Sequence, residues 1–508
     1  MSMEAAQDSY DVIVIGAGLA GLTAGALLAQ QGEKVLVVEK EAQPGGFIRE
    51  FRYGPYCFNP AIHSIMGCNP SGPVGQGVID GLLRQLDVRD QCQFVAVDPF
   101  FRAQFPDFVL DMPLGREPFL AAYQRHFPDE AAGFRDLADL CATIFEEFMR
   151  FPTAFRWQDW LLMPLRSPKM FRYANATLTD VLNKYLPNSR LQAVYGLLYP
   201  YLALPPSRVS FNLYAIMMAA YIEEGAYYCQ GGFQNMAAAL ATGVSKHGGE
   251  LLLQTPVRGI EAEQGRVTGV FLANGQAIAA PLVISNIDVS VMCQKMLPAD
   301  QIPANYSRKL AKLEPSVSVR SLLLATDLDV HALNIPKVTL VSPWDLEEAF
   351  AAARRGEVKA VAIHVPTVLD ATLSPPGEHL IIIQALVPSQ AGRLSPAANA
   401  RFAESLLDLA EQVLPGLRDH ITFVAGNSEQ GQETYPTVRL GPMYGWANSP
   451  QQVGPRRLAL QTPIAGLYLT GHWTQPGSGV WTVVLSGINA ARYALGSDKS
   501  APMWPLDF

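Results

Sequence analysis

The chain reads as an α/β protein in which a parallel sheet is completed from both ends and a mixed α+β domain lies between them. Three observations predict this. A β-branched run at 12–15 passes through a Gly-rich turn into a helix of small residues. A second apolar strand follows at once, over 34–40. Near the other end a strand-like "LYLT" again meets a Gly-rich loop, "GHWTQPGSGV" (471–480), and then a helix. At 508 residues the chain also exceeds a single compact core, so two domains are expected.

Val12 to Ile15 is a continuous rather than alternating apolar run, as expected of a strand buried on both faces. Gly16, Gly18 and Gly21 then fit G-x-G-x-x-G, with Leu19 and Ala20 inside the motif, and "LAGLTAGALLAQQG" reads as a helix ending at Gly32. The strand "KVLVVEK" closes on Glu39 and Lys40, placing an acid about 20 residues beyond the last glycine, where it can bind a ribose hydroxyl. The glycines allow a tight turn, close approach to a pyrophosphate and close helix–strand packing, and the helix start adds about half a positive charge. Strand, motif, helix and acid together predict a Rossmann-type dinucleotide-binding domain. A nicotinamide enzyme would proceed to a third strand here. This chain instead presents a second Gly pair, Gly45 and Gly46, where a flavoprotein continues along FAD.

At these residues the chain resembles the flavoprotein family of bacterial phytoene desaturases, carotenoid isomerases and retinol-saturase-like enzymes. The resemblance spans nearly the whole chain and is concentrated in "VIVIGAGLAGLTAGALLAQQGEKVLVVEKEAQPGG", in 230–288 from "QGGFQNMAAAL" to "VISNID", and in "TPIAGLYLTGHWTQPGSGV". It implies a two-dinucleotide-binding-domain flavoprotein with an apolar substrate tunnel. It also implies FAD contacts at Gly16, Gly18, Leu19, Ala20, Gly21, Glu39, Lys40, Gly45, Gly46, Phe47 and Ile62, at Val257 beside the adenine, and at Asn286 where the chain re-enters the flavin domain. Gly471 and His472 would meet the ribityl and phosphate region. The amides at Gly479 and Val480 would face the pyrimidine edge, and the helix from Trp481 to Leu495 would stabilise negative charge on the reduced ring. Two departures stand out: His472 replaces the family's usual acid, and "FNPAIHSIMG" replaces its "FDxG", placing His63 on the histidine of the saturase-like pattern.

The domain pieces expected are 9–70, 226–290 and 441–500 for the FAD-binding domain, with 71–225 and 291–440 for the substrate and cap domain. In the latter, "SLLLATDLDV", "VKAVAIHVP" and "HLIIIQALVP" read as strands and "NARFAESLLDLAEQVLP" as an amphipathic helix. The segment 148–173 interleaves Phe148, Phe151, Phe155, Trp157, Trp160 and Phe171 with Arg150, Arg156, Arg166, Lys169 and Arg172, a pattern suited to a bilayer interface.

A net charge of −8 argues against nucleic acid as a partner. Hydrophobic residues make up 49% and charged residues 17%, yet no apolar run reaches the roughly 18–20 residues of a membrane span. "MSMEAAQDSY" has no apolar core of a signal peptide, and the six cysteines show no metal-ligand spacing. These features predict no metal and a cytoplasmic protein held peripherally on the inner membrane. Of eight histidines, His126, His247, His331, His364, His379 and His420 have no motif around them. His63 follows the flavin-proximal Gly pair, where it would either move the proton that accompanies hydride transfer or pack on the flavin edge. The expected function is FAD-dependent desaturation, saturation or isomerisation of a polyene or other isoprenoid lipid. An amine-oxidase-like activity and a non-catalytic prenyl-lipid carrier remain as alternatives.

Overall fold

The computed structural model describes residues 9–70, 77–151, 157–389, 394–425 and 438–497. Five parallel strands form the first sheet, in the order Leu467–Leu469, Leu282–Ser285, Val12–Ile15, Val35–Val38, Glu250–Leu252. The central strand is fully buried, and its side chains divide between two cores as the pleat requires. Val12 and Val14 join Leu22 and Ile488 on the helical face. Ile13 and Ile15 join Ile260, Val270 and Ile278 on the opposite face. The last three belong to a three-stranded antiparallel sheet, Val257–Glu263, Arg266–Leu272 and Ala277–Ala279.

The helix Leu19–Gln30 stops just before Gly32, whose φ of +89° lies in the left-handed region. The helix Val480–Ala494 packs against it at close range. A Cβ at Gly487 would stand 2.5 Å from the Ala20 carbonyl oxygen and 2.7 Å from Thr23 Cβ. This contact brings the starts of the two helices to one side of the sheet.

The second sheet has eight strands. Ile421–Val424, Ser318–Thr326, His379–Val387, Val361–His364, Val338–Val341, Phe101–Phe105 and Phe108–Met112 follow in order, and Val438–Leu440 also pairs with Ser318–Thr326. Only the pairing of Val338–Val341 with Phe101–Phe105 is parallel. The amphipathic helix Pro396–Ala410 covers one face through Phe402, Leu406 and Leu407.

The segment 148–173 divides into an inner and an outer part. Phe148 and Phe151 are buried in the main core, so these two rings do not belong to a surface as the interleaved pattern suggested. Phe155 and Arg156, and the side chains of Trp157 and Trp160, lie outside the described residues. Beyond them, the helices Trp157–Arg166 and Pro168–Arg172 bury Met163 and Met170 while Leu161, Leu165 and Phe171 are 68%, 80% and 50% exposed. Among the described residues no helix is long and apolar enough to cross a membrane.

Candidate active site

A cavity of about 930 Å³ lies between the two sheets and is lined from both ends of the chain. Its walls include Gly16, Gly18, Leu19, Ala20, Glu39, Lys40, Gly45, Gly46, Phe47, Ile62, His63, Val257, Asn286, Gly471, His472, Gly479 and Val480. Gly21 alone of the expected residues is not on this surface. A Cβ there would stand 2.1 Å from the Gly16 carbonyl oxygen, so its bareness serves the packing of helix against turn.

The turn is built by backbone chemistry. Gly16 has φ +96°, a left-handed conformation that a side chain would strain. The Ala17 N–H donates to Glu39 Oε2 at 2.8 Å and the Glu41 N–H donates to Glu39 Oε1 at 3.0 Å. The carboxylate expected at the ribose thus also ties the turn to the end of the second strand. Gly45 N–H donates to the Ala17 carbonyl at 2.7 Å, seating the second Gly pair against the first loop. Lys40, by contrast, is exposed and lies 3.8 Å from Glu41.

Asn286 links the two ends of the chain. Its Nδ2 donates to the Gly16 carbonyl at 3.3 Å. A Cβ on Gly18 would stand 2.7 Å from Asn286 Nδ2, and one on Gly471 2.5 Å from its Oδ1. The bareness of Gly18 is therefore required by Asn286 within the protein itself. Phe47 from the N-terminal loop and His472 from the C-terminal loop place their rings 5.5 Å apart. Burial and the neighbouring Arg457 guanidinium push the His472 pKa down, so this imidazole is neutral.

Neither long helix at the cavity has a side-chain cap. Leu19–Gln30 starts after Gly18 and Val480–Ala494 after Gly479, and neither first turn carries an acid. Uncapped starts leave backbone N–H groups and positive dipole ends available to one anionic ligand. Two such starts, a glycine turn and a cavity near the top of the roughly 300–1,000 Å³ range of ligand sites fit a dinucleotide cofactor.

Around His63 the structure gathers groups from the second sheet. The Gln384 carboxamide donates through Nε2 to Pro60 O and to Ser321 Oγ, which leaves Oε1 to accept. His63 Nε2, 2.9 Å away, is accordingly the donor, and the lone pair of the neutral ring lies on Nδ1. The His364 ring stacks on His63 with centroids 3.3 Å apart and planes 9° from parallel. Both His364 nitrogens are buried, and Gln384 lies beside this ring as well. Lys337 Nζ donates to the His63 carbonyl and lies 4.8 Å from the centre of the Tyr228 ring. Burial, with a smaller contribution from the Lys337 charge, pushes the His63 pKa down to about 3; burial pushes Lys337 down to about 7.

His364, Lys337 and Gln384 were not expected here from the sequence. His364 sits in an ordinary strand pattern, "VAIH", and reaches His63 only because Val361–His364 pairs between Val338–Val341 and His379–Val387.

A family model described as flavin containing amine oxidoreductase matches residues 19–495, nearly the whole chain. The chain belongs to this family. It is an FAD-dependent oxidoreductase. It is similar to all-trans-retinol 13,14-reductase of Rattus norvegicus, 24% identical over 93% of this chain and 83% of that protein. It is also similar to prolycopene isomerase 1, chloroplastic, of an Oncidium hybrid cultivar, 26% identical over 98% and 86% of the two chains. All-trans-zeta-carotene desaturase of Myxococcus xanthus is 26% identical over 97% and 95%. Among solved structures, an oxidoreductase from Methanosarcina mazei has a TM-score of 0.62 at 18% identity, covering 94% of this chain and 98% of its own. Cyclohexylamine oxidase from Brevibacterium oxydans has a TM-score of 0.60 at 16% identity, covering 96% and 99%. These two establish a shared fold.

Proposed function

We propose that this flavoenzyme desaturates, saturates or isomerises a long apolar polyene such as a carotenoid or retinoid. The observation that carries the reading is the chemistry of the cavity beside the cofactor residues. Leu202, Ile216, Met217 and Leu340 supply apolar wall, and the polar groups next to His63 are a neutral imidazole, a carboxamide and the Lys337 amine. None of them bears the negative charge that would hold an ammonium group, so the amine-oxidase alternative has less support. Named relatives act on retinol, prolycopene and zeta-carotene. An unactivated hydrocarbon is recognised by shape and burial, at about 25 cal/mol per Å² of apolar surface.

Gly16, Gly18, Leu19 and Ala20 would hold the pyrophosphate, Glu39 the ribose, Val257 the adenine side, and the 471–480 loop the ribityl chain and ring. FAD, when bound, supplies hydride exchange with carbon. The protein then has to exclude water and manage one proton. Gln384 fixes His63 with its proton on Nε2, and the stacked His364 keeps a second neutral ring against it. A His63 pushed down to about 3 is a poor resting base. Lys337 Nζ, near 7, is the group here that gains or releases a proton close to neutrality.

We also propose peripheral attachment on the cytoplasmic face of the inner membrane. Leu161, Leu165 and Phe171 are exposed beside the exposed Arg166, Lys169 and Arg172, so apolar insertion and attraction to anionic headgroups coincide.

The function is tested by mixing polyenes anaerobically with oxidised and with pre-reduced enzyme. Flavin and polyene spectra should change together in one of the two states. A carotenoid and retinoid panel that leaves both spectra untouched, while a simple amine bleaches the flavin, would replace this reading with the amine-oxidase one.

A further inference from the structure

A second cavity, of about 90 Å³, lies between the flavin cavity and the outer helices. Phe148, Phe151, Met163 and Met170 give it apolar walls. Met163 and Met170 are the inner sides of the two helices whose outer sides expose Leu161, Leu165 and Phe171. Leu213 and Ile216, on the helix Phe211–Glu224, line this cavity and the flavin cavity alike. The two spaces are therefore neighbours across a pair of aliphatic side chains.

The small cavity is not wholly apolar. Asn212 and Asn489 line it, are 8% and 1% exposed, and each has a buried Oδ1 with no donor. Asn212 Nδ2 donates to the Met170 carbonyl at 2.8 Å, which fixes the orientation of that amide and commits its Oδ1 to accepting. A buried acceptor without a donor costs about 1–3 kcal/mol, and two beside one apolar space are best explained by a group that satisfies them. Among the described residues no carboxylate lines the cavity, and its other polar side chains are Gln475 and Arg456, whose Nη1 donates to the Pro450 carbonyl at 2.7 Å, so the group must donate to the two Asn oxygens and can accept from these neighbours. It must also tolerate apolar walls. A hydroxyl at the end of a hydrocarbon chain has these properties.

We propose that this cavity is a subsite for the hydroxyl end of an isoprenoid alcohol, whose chain passes Leu213 and Ile216 into the flavin cavity. The inference rests on the polyene reading above and adds the end group and its location. The outer helices then place the subsite directly beneath the surface from which an apolar substrate would arrive.

The test is fluorescence titration of the FAD-loaded protein with all-trans-retinol and with its methyl ether, which cannot donate. Wild type should bind the alcohol about tenfold more tightly than the ether, the scale of one buried hydrogen bond. Asn489→Leu should remove that preference while leaving ether binding unchanged, and Asn212→Leu should do the same if it folds. Leu213→Trp should slow association of both probes by narrowing the passage. Equal binding of alcohol and ether by wild type, or an Asn489→Leu variant that keeps the preference, overturns the subsite and leaves water as the occupant. If polyenes still perturb the flavin spectrum in that case, the proposed function survives. If no polyene binds or reacts in any form, both fall together.

Discussion

Lys337 carries a charge that is costly where it sits. It is 3% exposed, and its partners are a carbonyl oxygen and an aromatic face. Burial lowers its pKa from 10.5 to about 7, so between those values the unfolded chain binds more protons than the folded one. Stability consequently rises with pH across that window, and below about 7 the full cost of burying an ammonium is felt. Lys337→Met should therefore raise Tm relative to wild type most at pH 6, by a free energy of roughly 3–5 kcal/mol less about 1 for the lost hydrogen bond. The gain should shrink towards pH 10, and thermal unfolding of both proteins at the two pH values checks it. A gain independent of pH would mean that the folded and unfolded chains bind the same number of protons, so that burial does not lower the Lys337 pKa. Lys337 and His364 were invisible in the sequence for one reason. His364 ends an unremarkable strand and Lys337 stands just before another, and what brings them to His63 is the pairing of strands some 300 residues distant from it. His63 was legible because it lies near the Gly pair along the chain itself.

At the level of elements, the parts read most clearly were those where local pattern and fold agree. The strand Val12–Ile15, the helix Leu19–Gln30 and the helix Val480–Ala494 fall within a residue or two of expectation, because apolar runs and glycine stops determine them locally. The role of the glycines was less legible. Gly18 was expected to clear space for a pyrophosphate, yet its nearest obstacle is Asn286, which arrives from the end of a distant strand, Leu282–Ser285. Gly487 carries a similar message about the two helices. In an exposed helix Gly→Ala stabilises by about 0.5–1 kcal/mol. Here the new Cβ would meet backbone and Thr23 at 2.5–2.7 Å, and overpacking of this kind costs about 1–3 kcal/mol. Gly487→Ala should thus lower Tm and also weaken FAD retention, since it displaces one uncapped helix start from the other. Unchanged Tm with full flavin content after gel filtration would show that the helices part without consequence.

At the level of the whole molecule, the apolar and basic surface over 161–172 should act as one binding face. Arg166, Lys169 and Arg172 to Glu should reduce sedimentation with anionic vesicles, at roughly 1 kcal/mol per cation lost near the surface. Leu161, Leu165 and Phe171 to Ser should reduce binding to neutral vesicles without loss of flavin. Phe151→Ser makes a useful contrast, because that ring is buried and its loss should instead lower Tm. Unaltered sedimentation of both surface variants would assign the patch to ordinary surface. The parallel sheet adds a consequence in time. Its strands come from 12–38, 250–285 and 467–469, and the second helix start is at residue 480. During synthesis, at about 5–20 residues per second, the glycine turn emerges long before its partners. The nascent chain must therefore wait tens of seconds with its most recognisable motif formed and unable to close on a cofactor. Ribosome-stalled chains ending before residue 467 should stay colourless in excess FAD, while chains carried past residue 497 and clear of the exit tunnel should turn yellow.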